Sequence, residues 1–254
     1  MNVLVCLKQV ADLESRFIVP AGGSWFEETD LAFRINEYDE FAVEAAVQLK
    51  EKLGDVQVTV LSLGPQRSAE ALKKALAMGA DQAVHLLDPE SPQKDSWQVA
   101  NYIAEWSQGK GFDLILTGLQ SQDRGSGQVS MMLAELLDVN SVSCAVALEL
   151  VGDRLSVERE LEGGVRAQVE LSTPALVSCQ LGLNQPRYPT LPNIMKAKKK
   201  PFETIDVGEA VGARLEVEEI GSPAKAGAAE LIEGDLASQV AKVVSILKDK
   251  KLVG

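Results

Sequence analysis

The stretch Gly118-Leu119-Gln120-Ser121-Gln122-Asp123-Arg124-Gly125-Ser126-Gly127-Gln128 has the residue types a phosphate group needs. Its glycines let backbone approach a ligand closely, Ser121 and Ser126 offer hydroxyls, and Arg124 offers a cation. It runs into a helical pattern over Gln128–Leu137, whose first free N–H groups can receive an anion. A strand-to-helix loop can also carry glycines for turn geometry alone, and the residue types leave both readings open. Asn36 has the same double character. With Asp39 three residues on it suits a helix N-cap, and it also suits a polar contact to a ligand.

No catalytic constellation accompanies this loop. The chain lacks G-x-S-x-G, H-E-x-x-H and the G-x-x-x-x-G-K-[ST] lysine loop. Its one histidine, His85, follows Val84 on an expected strand, which favours a structural or edge position. Cys6, Cys144 and Cys179 lie far apart with no CxxC spacing, so zinc, cluster and haem ligation are poorly supported. The chemistry to expect is binding, with no catalysis of the chain's own.

A second stretch, QLGLNQPRYPTLPNIMKAKKKP from Gln180 to Pro201, suits contact with another macromolecule. Pro186, Pro189 and Pro192 restrict the backbone, so Leu191 sits on a stiff ledge and loses little entropy when something docks on it. Lys196, Lys198, Lys199 and Lys200 follow. A surface loop leading into a short basic helix has the same composition.

Stepping along the chain, short apolar runs alternate with amphipathic helices. Asn2–Leu7, Val56–Leu63, Ala83–Leu87 and Asp113–Thr117 read as buried strands, and Glu37–Leu53, Arg67–Met78 and Ser96–Ser107 as helices. This alternation predicts an α/β fold, mainly a parallel sheet with helices on both faces, Rossmann-like, with ligands at the carboxyl ends of the strands. Ser143–Leu150, Arg154–Glu162 and Arg166–Leu171 are separated by short polar turns and predict an antiparallel extension, before Pro174–Cys179 returns as a last strand. The expected domain is 1–201. Residues 202–254 are expected to form an extended arm through Gly221–Ala229 and an amphipathic helix over Asp235–Lys248 that packs on a partner subunit.

The 254 residues, 46% hydrophobic, are enough for one large α/β domain and an appendage. No apolar run is long enough to span a bilayer and the amino terminus lacks a targeting pattern, so a chain not embedded in membrane is expected. A formal charge of −12 repels nucleic acid, leaving the lysine run as a local patch for an acidic partner.

The segment carrying Asn184, Pro186, Arg187, Tyr188, Leu191, Pro192, Asn193, Ile194, Met195 and Lys196 to Lys200 resembles the signature region of the electron-transfer flavoprotein β subunits. The resemblance extends to Val3–Val10, Asn36–Ala46, Leu61–Pro65, Ala75–Asp81, Gly118–Gln128 and Arg159–Gly164, and weakens over the last fifty residues. It implies an adenine-nucleotide-binding fold holding AMP, contacted by Cys6, Asn36, Leu63, Gly118, Ser121, Arg124, Gly127, Gln128 and Val129. It implies an α-subunit partner holding most of the FAD, with Leu13 and Tyr38 approaching the flavin ring across the interface. It further implies that Leu191 docks dehydrogenase electron donors and that electrons pass to a downstream quinone-reductase-type acceptor of the respiratory chain. The cytoplasm, or the mitochondrial matrix in a eukaryote, would be the setting. Two readings compete with this one: an electron-bifurcating relative holding a second FAD in place of AMP, and a free-standing nucleotide sensor or ATP pyrophosphatase. The last of these lacks its SGGxDS-type loop after the first strand.

Overall fold

Val3–Cys6 is apolar on both sides of the pleat, which a strand tolerates only if both its faces are covered. In the computed structural model, β1 (Asn2–Cys6) is such a strand. The structure describes every residue except 153, 210, 222–226, 228 and 254. The chain continues through β2 (Gln9–Ala11), β3 (Phe33–Ile35), α1 (Glu37–Leu53), β4 (Gln57–Gly64), α2 (Ala69–Met78), β5 (Gln82–Leu87), α3 (Ser96–Ser107), β6 (Leu114–Gly118) and α4 (Val129–Leu137). There follow β7 (Asn140–Val151), β8 (Arg154–Glu160), β9 (Arg166–Ser172), β10 (Ala175–Cys179), α5 (Leu191–Ala197), β11 (Phe202–Asp206) and α6 (Leu236–Asp249).

A nine-stranded sheet takes the order β11-β5-β4-β1-β6-β10-β7-β8-β9, as the α/β expectation requires. β1 pairs in parallel with both β4 and β6, Val3 lying opposite Val58 and Leu114. Its side chains then divide by the two-residue period of the strand. Val3 and Val5 join Val58, Val60, Leu114 and Leu116 in one core with α1 and α2, while Leu4 and Cys6 join Leu61 and Ile115 in the other with α3 and α4. The chain moves outward from β1 to β4 and β5, then returns to β6 on the other side. The strand order therefore reverses at β1, and its carboxyl end opens a crevice.

The structure differs from the expectations in three respects. Pro174–Cys179 returns as a strand, β10, between β6 and β7 and parallel to both, after the expected antiparallel extension of β7, β8 and β9, but it is not the last strand, because β11 follows. The two-stranded pairing of β2 with β3 was not expected, because three-residue strands are too short to display a period. Residues 202–254 are expected as an arm and a helix outside the α/β domain, yet β11 adds to the sheet edge with Phe202 opposite Ala83 and Asp206 opposite Leu87. Most of its side chains are exposed, so backbone pairing holds it where no apolar pattern announces it.

Beyond β11 the chain stays tied to α3. Tyr102 Oη donates to the Gly208 carbonyl at 3.0 Å, and the Leu215 amide donates to the Asp95 carboxylate at 2.8 Å. By contacts the chain forms two compact units, Met1–Ile220 and Gly221–Gly254. Much of the expected arm over Gly221–Ala229 lies outside the described residues. The terminal helix forms as expected, capped by Asp235, whose carboxylate accepts the Ser238 amide at 2.8 Å. Among its described residues none is buried, and Leu236, Val240, Val243 and Val244 are exposed. No helix among the described residues is long and apolar enough to cross a membrane.

Candidate functional site

At the carboxyl ends of β1, β4 and β6 the structure has a cavity, and Cys6, Asn36, Leu63, Gly118, Ser121, Arg124, Gly127, Gln128 and Val129 all line it. Its apolar wall comes from Leu61, Leu63, Val99, Ile103 and Val129. The loop of residues 119–128 and the start of α4, whose first-turn amides lack intrahelical acceptors, complete the lining.

Asn36 holds this loop in place. It occupies the N-cap position of α1 but makes no capping bond. Its Nδ2 donates to the Gln120 carbonyl at 2.8 Å, and its Oδ1 accepts the Gln122 amide at 3.0 Å. The local capping expectation thus loses to a two-point contact across the fold, because the loop offers a donor and an acceptor that match the carboxamide.

Asp39, three residues on, does structural work that sequence reasoning missed. It is buried, and accepts the Lys8 amide at 2.7 Å and the Gly118 amide at 3.0 Å, tying together the ends of β1 and β6. Burial pushes its carboxyl up to about 7, with the two amides opposing. Gly118 permits this approach: a Cβ there would fall 2.2 Å from Asp39 Oδ1 and 2.7 Å from Tyr38 Cβ. The glycine serves helix–strand packing first. Gly127 differs, having φ of +61° and only the Leu119 carbonyl near, at 3.7 Å, so its need is for the left-handed backbone.

Four cations line the cavity. Lys8 pairs with Asp123 at 2.6 Å, Arg67 with Glu28 at 2.8 Å, and Lys94 with Asp88 at 3.1 Å. Burial lowers Lys8, and Asp123 opposes that shift. Among the described residues Arg124 has no carboxylate partner. It donates to the Pro92 carbonyl and lies over the Trp25 ring at 4.8 Å from the centroid. That leaves Arg124 as the cation available to an anion. Trp25 and Glu28 escaped sequence reasoning, since nothing along the chain signals that residues 12–32 return over the cavity, and Arg67, read only as the start of a helix, lines it as well.

Cys6 and Cys179 do not offer thiol chemistry here: burial, reinforced by Asp39, raises both thiols far above their ordinary value. His85 is fully buried, its Nε2 2.9 Å from the Gly64 carbonyl, in the structural role expected of it. Leu13 and Tyr38 do not line the cavity. Leu13 is 59% exposed, and Tyr38 on α1 accepts a hydrogen bond from Gln120 Nε2 at 3.3 Å. Leu191 lies elsewhere, 79% exposed at the first residue of α5. Its ledge is a helix start, with Thr190 Oγ1 as cap and Pro192 in the first turn.

A family profile described as the electron transfer flavoprotein domain matches residues 24–210. The chain is 37% identical over 260 residues to the electron transfer flavoprotein subunit beta of Bacillus subtilis, covering all of both chains. It is 35% identical to the protein of the same name from Methylophilus methylotrophus, over 99% of each. It is 37% identical to the human one, over 92% of this chain and 93% of that one.

Proposed function

The chain belongs to the electron transfer flavoprotein β-subunit family, and from that membership we propose that it works as one half of a heterodimer with an α subunit. The pair accepts electrons from dehydrogenases and passes them to a quinone-reductase-type acceptor. FAD, held mostly by the α subunit, supplies the redox chemistry. This chain binds a structural AMP, shields the flavin with Leu13 and Tyr38, and docks the donor through Leu191.

The observation that carries the nucleotide reading is the convergence of nine residues, from β1, the N-cap of α1, β4, β6, the loop after β6 and the first residue of α4, on one cavity. The residues fit an adenine nucleotide. Apolar side chains form a slot for the base, while loop amides and Arg124 face a phosphate. Denaturing the purified heterodimer and separating its nucleotides should yield one AMP and one FAD. Gly127→Val forces a β-branched residue to φ near +61°, at a cost of about 1–3 kcal/mol, and should reduce retained AMP to about a tenth or less. Unchanged AMP in that variant would move the site elsewhere. Two FAD and no AMP would select the bifurcating reading.

Leu191 is an apolar side chain with almost nothing around it in this chain, the form of an anchor awaiting a pocket. Leu191→Ala should slow reduction of the heterodimer by a donor dehydrogenase about tenfold at subsaturating concentration. Turnover equal to the parent under those conditions would remove Leu191 from docking.

A further inference from the structure

The prolines around Leu191 are not what fixes the segment's root. Arg187 lies between two glutamates of α1, Glu44 and Glu51, which stand seven residues apart on one face of the helix. Its Nε and Nη2 donate to the two oxygens of Glu44 at 2.8 and 2.9 Å. Its Nη1 and Nη2 donate to Glu51 at 2.6 and 2.9 Å. The Arg187 amide also reaches Glu44, at 3.2 Å, and Asn184 Nδ2 donates to the Phe41 carbonyl at 2.9 Å. The Glu44 side chain is only 3% exposed, and although Gln48 Nε2 also donates to it at 3.0 Å, its charge is balanced by Arg187.

The clamp ends where exposure begins. The next residue, Tyr188, is 89% exposed, and Leu191 and Met195 follow it into solvent. The helix that holds the clamp is also the one whose N-terminal residues, Asn36 and Asp39, reach the nucleotide cavity. We propose that Arg187, gripped by Glu44 and Glu51, is the positioning residue that fixes the docking segment to α1, so that Leu191 meets its partner at a set place relative to the cavity. This rests on the docking role proposed for Leu191. A segment already ordered by the clamp has less conformational freedom to lose on docking. Lysine could neutralise Glu44 but could not bind both carboxylates in two-point fashion, because its ammonium is a point charge without the planar fork of arginine.

The experiment compares the parent heterodimer with Arg187→Lys, Leu191→Ala and the double variant, using a dehydrogenase chosen because it reduces the parent. Arg187→Lys is expected to raise the apparent KM for the heterodimer about fivefold and to speed amide hydrogen exchange over residues 188–195 about tenfold, with α1 unaffected. In the Leu191→Ala background the lysine substitution should add nothing to KM, since the clamp acts through that leucine. If Arg187→Lys does not fold, Glu51→Gln at the exposed end of the clamp reads the same quantities, with expected changes of about twofold to threefold. A raised KM in Leu191→Ala with parental KM and exchange in the clamp variants would overturn the clamp and leave the docking reading standing. Parental KM in Leu191→Ala would overturn both. Additive effects in the double variant would show that Arg187 acts by some route other than Leu191.

Discussion

Replacing Asp39 by alanine should destabilise the Met1–Ile220 unit by about 2–6 kcal/mol at pH 5, because the Lys8 and Gly118 amides each lose a buried acceptor worth about 1–3 kcal/mol. At that pH the carboxyl, protonated or not, still accepts both. Urea unfolding of the full chain measures the loss, and a change below about 1 kcal/mol would mean that water takes the carboxyl's place. The same residue gives the fold a pH dependence. Its value in the fold, about 7, lies above the ordinary 3.8. The folded state therefore holds this proton more tightly, and the resulting stability is fully present below pH 3.8 and lost as pH rises through about 7. Asp39→Asn has no proton to lose. Across that window the parent should lose stability relative to the asparagine variant with a slope approaching about 1.4 kcal/mol per pH unit. Parallel profiles would show that the two amides keep the carboxylate ionised throughout.

Deletion of Gly221–Gly254 should leave the α/β unit folded and lower heterodimer affinity about a hundredfold. The first half follows from the division of contacts at Ile220. The second follows from α6, whose Leu236, Val240, Val243 and Val244 are exposed on a helix with no buried residue among those described. Each such side chain gains about 1.5–3 kcal/mol when fully buried, and ordering costs absorb part of that gain. Co-purification of the α subunit with full and shortened chains decides the matter. Equal recovery would remove the helix from the interface, while loss of the α/β unit's own unfolding transition would show that the two units fold together.

Much of the framework could be read along the chain because it depends on periods. Buried parallel strands such as Val3–Cys6 are apolar at every position, and helices such as Glu37–Leu53 repeat their apolar residues near every fourth position. The Gly118–Gln128 loop stood out for a similar reason, since glycine and hydroxyl residues before a helix have a local meaning. β11 had no such mark: it is held by ladder bonds to β5, and ladder bonds are indifferent to the side chains that carry them.

The sequence alone thus determined the strand–helix alternation, a ligand site at the carboxyl ends of the strands, the phosphate-suited loop and the leucine left in solvent. Only the tertiary structure decided which partner each polar group takes. Asn36 could cap its own helix, yet it contacts Gln120, 84 residues away, and Arg187 meets Glu44 across 143. Periodicity sets which face of an element is apolar, whereas a hydrogen bond requires two groups to meet within about 3 Å at a suitable angle. That meeting is fixed by strand order and by where each connection crosses the sheet, and no spacing along the chain encodes it locally.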